Sequence, residues 1–122
     1  MRKRQESGRG KEELLVVSNS SVIIAFVKIC RLDILEKLFR KILIPEAVWK
    51  EITVENKPGS EKIVRADFID VGKAGNKRLV ALLEEFVNTD EAEAIVLALK
   101  RNADLLLVDD RDTRNLAKKL GL

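Results

Sequence analysis

Residues 89–122, TDEAEAIVLALKRNADLLLVDDRDTRNLAKKLGL, run helix, strand, helix, and that succession decides the fold. Thr89 or Asp90 reads as the cap of a helix that ends near Arg101, with Ala92, Ile95, Ala98 and Leu99 as its apolar stripe. Asp104 to Val108 reads as a strand. Its core, Leu105-Leu106-Leu107-Val108, is an unbroken apolar run of the kind buried on both faces of a parallel sheet. Asp112 or Thr113 then caps a last helix, and Gly121 suits its C-terminal cap.

The same alternation extends upstream. Leu14 to Ser18 reads as a strand, and Asn19, Ser20 and Ser21 as cap residues of a helix reaching about Lys28. A helix over about Leu32 to Phe39 carries Leu32, Leu35, Leu38 and Phe39 on one face. Ile42-Leu43-Ile44 is a short strand. Pro45 falls at the first position of the next helix, where a missing N–H costs nothing, and Pro45, Val48, Trp49 and Ile52 form its stripe. Lys57 to Ser60 is a loop, followed by a short helix. Phe68 to Val71 is a strand, and Leu79 to Phe86 is helical. Strands alternating with helices predict a three-layer α/β/α domain around a parallel sheet of about four strands.

Composition bounds the rest. A chain of 122 residues with 46% hydrophobic content suits one domain with one core. No apolar stretch approaches the ~18 residues of a membrane span. The charged start, MRKRQESGRGKEE, is not a secretory signal, so a cytoplasmic protein is expected. Residues 1–12 read as a flexible basic arm and 13–122 as the domain. Five basic side chains against Glu6 make the first eleven residues positive, while the remainder is near neutral. Such an arm touches nucleic acid or is simply solvated. The single cysteine, Cys30, reads as a small buried hydrophobe. With no His, the chain has no Ser-His-Asp or Cys-His nucleophile and no His-bearing zinc site. One Gln and 35% charged residues give it a thermophile-like composition.

Polar residues stand where the apolar runs end. Asn19 follows LLVVS, Glu51 lies in PEAVWKEI, Glu91 opens the helix at 89, and Asp109 and Asp110 follow DLLLV. In a parallel sheet, the carboxyl ends of the strands border the ligand crevice. Several carboxylates in one place need a cation, and Mg²⁺ or Mn²⁺ prefers oxygen ligands. Glu91 falls about 40° from Ile95 on the helical wheel, on the buried side, whereas Asp90 and Glu93 fall on the polar side. A helix N-terminus or a metal would each account for Glu91. DDRDT is good turn-and-cap chemistry, yet one of two successive acids should face the crevice. Glu51 alone would be a surface glutamate, and Asn19 alone an N-cap. Arg111, Arg114 and Lys118 recur at helical spacing beside the acids and read as a solvated face or as contacts to a phosphate backbone.

These segments, VVSNSSVIIAFVKICRLDILEKLF, ILIPEAVWKEI and residues 89–122, resemble the PIN-domain family, in particular its prokaryotic VapC-like ribonuclease branch. The resemblance covers about residues 14–122. It implies Mg²⁺- or Mn²⁺-dependent hydrolysis of RNA, a role as toxin beside an antitoxin-like protein, and a homodimer. Carried over by motif, the first family acid falls on Asn19, the second on Glu51, the third on Glu91 and the fourth on Asp109, with Asp110 beside it. The hydroxyl two positions past the first acid falls on Ser21. The resemblance therefore assigns catalysis to Asn19, Glu51, Glu91 and Asp109, and metal binding to Glu51, Glu91, Asp109 and Asp110. Two departures stand out. Asn19 replaces an acid, and family chains run on past Gly121-Leu122 into a further strand and helix, so that last element is expected to be lacking here. The other reading is a catalytically inactive PIN-fold module that binds RNA or a protein. Nucleotide-binding enzymes are disfavoured, since neither GxxxxGK[ST] nor GxGxxG occurs.

Overall fold

The computed structural model describes residues 14–54 and 59–122. The basic arm and Lys57-Pro58 of the central loop lie outside the described residues. In chain order the elements are β1 (Val16–Ser18), α1 (Ser20–Lys28), α2 (Leu32–Phe39), β2 (Ile42–Pro45), α3 (Glu46–Ile52), α4 (Ser60–Val64), β3 (Ile69–Gly72), α5 (Lys77–Leu83), α6 (Thr89–Arg101), β4 (Leu105–Leu107) and α7 (Arg111–Lys119). The four strands form one parallel sheet in the order β3-β2-β1-β4. The expected α/β/α class is therefore the observed one.

Side-chain alternation along the strands divides the core. Val17 and Leu43 point to one face and pack with Leu83, Ile95, Leu97 and Ala117 of α5, α6 and α7. Val16, Ile42, Ile44 and Ile69 point to the other and pack with Ile23, Leu35, Val48, Ile52 and Ile63 of α1 to α4. Two helical layers thus enclose the sheet. Parallel strands put every carboxyl end on one edge, and there the sequence begins α1, α3 and α7.

Several local expectations need correction. β4 is not buried on both faces. It is an edge strand, with Leu105 41% exposed, because only β1 pairs with it. Leu38 is exposed, and Leu35 is the buried anchor of α2. Cys30 is exposed as well: it turns outward at a φ of 58° in the corner between α1 and α2. Pro45 ends β2 and serves as the N-cap of α3 rather than its first helical residue. α6 and α7 start earlier than read, capped by Asn88 and Asp110 in place of Thr89 or Asp90 and of Asp112 or Thr113. α5 also starts earlier, at Lys77, and ends at Leu83. Asn19 caps α1 as expected, and Gly121 takes the left-handed φ of 95° just past the C-cap Leu120. No helix among the described residues is long and apolar enough to cross a membrane.

Candidate functional site at the carboxyl edge of the sheet

The buried polar and charged side chains among the described residues are Ser18, Asn19, Ser20, Glu91 and Thr113. Ser18 ends β1, Asn19 and Ser20 open α1, and Glu91 and Thr113 lie in the first turns of α6 and α7. Burial of polar groups is costly unless they find partners, so their concentration at one edge marks it as the site.

Asn19 is fully buried at the junction of β1 and α1. Its backbone N–H donates to the Leu107 carbonyl at 3.2 Å, which ties the end of β1 to the end of β4. Its side-chain oxygen accepts from the Val22 N–H at 3.2 Å, capping α1. That bond fixes the amide, because a flipped side chain would turn a donor toward a donor. The remaining atom, Nδ2, is buried without a partner.

The next residue gathers two acids. Ser20 is 1% exposed, and its Oγ lies 2.8 Å from Glu51 Oε1 and 2.9 Å from Asp90 Oδ2. Those two oxygens can be no more than 5.7 Å apart, the sum of the two distances. A serine hydroxyl carries one hydrogen, so it donates to one carboxylate only. The other is left without that donor beside a like charge.

A second pair forms between α6 and α7. Asp110 caps α7, where its Oδ2 accepts from the Thr113 N–H and from Thr113 Oγ1, each at 2.9 Å. These bonds hold its carboxyl below the usual range. Glu91 is 8% exposed, and its carboxylate accepts from the Asn88 N–H at 3.1 Å in a capping box. Burial pushes its pKa up. The Asn88 bond opposes that shift, and Asp90 and Asp110 nearby add to it. Glu93, two residues on, accepts from the Ala47 N–H at 3.1 Å and supplies the acceptor that Pro45 cannot give α3.

The structure therefore brings Glu51 and Asp90 together on Ser20, next to Asn19 in the chain, and sets Glu91 near Asp110 and Thr113. Asp109 is exposed at the end of β4, and no described residue bonds to it. Ser21 is exposed, and the hydroxyl that enters the site belongs to Ser20. Arg111, Arg114 and Lys118 are exposed along α7, and Arg114 contributes to holding the Asp110 carboxyl down. Asp90 escaped the sequence reading because the polar side of α6 faces α1 and α3 in its first turn, where a wheel shows only solvent. Ser20 was legible as a cap candidate but not as a bridge, since its partners are 31 and 70 residues away.

A family model described as a PIN domain matches residues 15–122, nearly the whole of the described chain. The chain belongs to the PIN-domain family. No curated protein and no solved structure matches it. PIN domains are nuclease-type folds that generally bind RNA and use divalent metal ions, so the fit of this edge to such an ion matters. Among the described residues no three acids form a metal-holding group in this PIN domain. Its donors come in pairs. Magnesium is often bound through one or two carboxylates, with water and phosphate completing the shell, and the Glu51–Asp90 pair fits that mode. The Glu91–Asp110 pair fits it less well, since backbone N–H groups already bond to both carboxylates.

Proposed function

We propose that this PIN domain is a divalent-ion-dependent ribonuclease acting on RNA phosphodiester bonds. The observation that carries the reading is the Ser20 hydroxyl held between Glu51 and Asp90, a carboxylate pair with one proton donor at the carboxyl edge of a parallel sheet. Such a pair carries two negative charges, and Mg²⁺ or Mn²⁺ is an oxygen-seeking dication that offsets them. Glu51 and Asp90 would hold the ion, with Glu91 and Asp110 adding negative potential behind them.

When bound, such an ion activates water and neutralises charge on a phosphate. The side chains of the chain prepare that chemistry. Ser20 keeps the two carboxylates at a fixed spacing. Thr113 and the Asn88 N–H hold the second pair in place. Arg111, Arg114 and Lys118 lie exposed on the helix that Asp110 caps and would take the phosphates of an RNA strand on either side of the cut. Asp109, at the rim, would join the ion's shell through water. The VapC-like resemblance extends the proposal to a toxin with an antitoxin-like protein partner, acting as a homodimer.

A second reading is a PIN module that binds RNA or a protein without cutting it. It is favoured by the neutral Asn19 and by the lack of a three-acid group among the described residues. Incubation of mixed RNA with the chain in Mn²⁺ or in chelator separates the two. The ribonuclease reading expects cleavage that needs the metal and disappears in Glu51→Gln. RNA retained intact on the chain, with equal affinity in both buffers, supports the module.

A further inference from the structure

We propose that the groove between the β3–α5 loop and the far half of α6 is a second seat for single-stranded RNA, where cations hold phosphates and an apolar wall takes a base. The inference rests on reading this PIN domain as a protein that acts on RNA, and it names where the strand goes beyond the acid edge.

The groove has a volume of about 350 Å³. Ala74, Leu79, Val96 and Leu99 line it with apolar surface, and Lys100 lines it with a charge. That charge is held in place, since Lys100 Nζ donates to the Lys73 carbonyl at 3.1 Å. A Cβ on Gly75 would lie 3.5 Å from the same Nζ, so the loop passes against the ammonium, and it does so at a left-handed φ of 70°. An ammonium has three hydrogens, so two remain for a ligand.

Three more cations belong to the same corner. Lys73 supplies the carbonyl, and Lys77 and Arg78 stand in the chain between the lining residues Asn76 and Leu79. All four are exposed. The ion pairs among the described residues are Arg31–Asp33, Lys37–Asp33 and Lys41–Asp70, and none involves these four. A merely solvated face would need neither a fixed ammonium nor an apolar wall beside it. Together they select the ligand. Phosphates answer the cations, and a flat apolar body answers the wall. Single-stranded RNA offers both, because its bases are free to leave the stack. A duplex keeps its base faces covered, and an acidic peptide brings charge without a flat face. Lys100 lies ten residues beyond Asp90 on α6, about 15 Å along the axis. A strand of several nucleotides spans that distance, so the groove grips RNA away from the cut.

The test titrates the full chain with a labelled single-stranded RNA in chelator, over a series of salt concentrations. The variants are Lys73→Gln with Lys100→Gln, and Lys77→Gln with Arg78→Gln, whose side chains make no bond in the structure. Lys37→Gln with Lys41→Gln is the control of equal charge loss, and melting temperatures verify that each chain is folded. Each groove variant is expected to weaken binding and to flatten the plot of log affinity against log salt by about 1.4, at ~0.7 per lost phosphate contact. The control should leave the slope near that of the parent. Duplex RNA and polyglutamate should compete poorly. Slopes equal to the parent's in both groove variants overturn the inference, and so does a control that loses as much as they do. Competition by duplex as strong as by single strand removes the base from the groove and overturns it. Displacement by polyglutamate does so in favour of an acidic protein partner. Metal-dependent cleavage that persists beside unchanged slopes sinks this inference alone. A parent that binds no RNA sinks it together with the RNA reading.

Discussion

Two carboxylate pairs share the carboxyl edge of the sheet, and each is built around a hydroxyl. Around Ser20, one hydrogen serves Glu51 and Asp90. Around Thr113, Asp110 receives both the hydroxyl and a backbone N–H, and Glu91 receives the N–H of Asn88. The second pair is satisfied by the protein and anchors the starts of α6 and α7. The first pair is not, although it lies only a residue away along α6. Acids gathered at one edge are thus of two kinds, and counting donors separates framework from chemistry where burial alone would not. Glu91 is the more buried acid, yet its environment is the more complete.

Substitutions can break that comparison, beginning with the largest effect. Removing one charge from the open pair, by Glu51→Gln or Asp90→Asn, should lower Mn²⁺ affinity and metal-dependent RNA cleavage by at least ~10–100-fold. The melting temperature in chelator should hold or rise, because a repulsion is relieved. Cleavage and calorimetry on the same preparations check this. Next comes the framework. Thr113 is fully buried, and Thr113→Val should cost about 1–3 kcal/mol in urea denaturation, since it leaves Asp110 short of a donor. Metal binding per folded molecule should change less than in Asp90→Asn.

Glu93 offers a smaller effect. Glu93→Ala takes the acceptor from the Ala47 N–H at the start of α3 and should cost about 1 kcal/mol, a typical cap loss, by the same denaturation. The smallest change concerns pH. The pKa of Glu91 is raised above its ordinary 4.5 in the folded chain, chiefly by burial. The folded state then holds this proton at pH values where the unfolded chain has released it. The Glu91 contribution is therefore present below pH 4.5 and is lost as pH rises through the folded pKa. Glu91→Gln keeps a capping-box acceptor and loses the titration. It should match the parent in acid and gain on it towards neutral pH, as read by melting temperature across a pH series.

Much of this was legible in the sequence. The apolar runs at Val16-Val17 and Ile42 to Ile44 predicted strands, and the alternation of elements predicted the parallel sheet. Asn19 as a cap and Glu91 as a buried acid followed from cap chemistry and the helical wheel. Other features were not legible, for physical reasons. An apolar run shows what a strand prefers but not how many neighbours it finds, so Leu105 to Val108 looked interior although β4 is an edge. Helices began one to three residues early because Asn88 and Asp110 cap as well as the residues after them. The Ser20 bridge joins α1, α3 and α6, whose first turns meet only when the sheet is assembled. A hydroxyl in a first turn carries no local sign of such partners.

Mn²⁺ calorimetry on Asp90→Asn beside Asp110→Asn tests the distinction between the two pairs most directly. The account predicts that Asp90→Asn loses the binding heat, while Asp110→Asn keeps it and melts at a lower temperature. Binding retained by Asp90→Asn and lost from a folded Asp110→Asn would contradict the account and move the cation seat to the Thr113 pair.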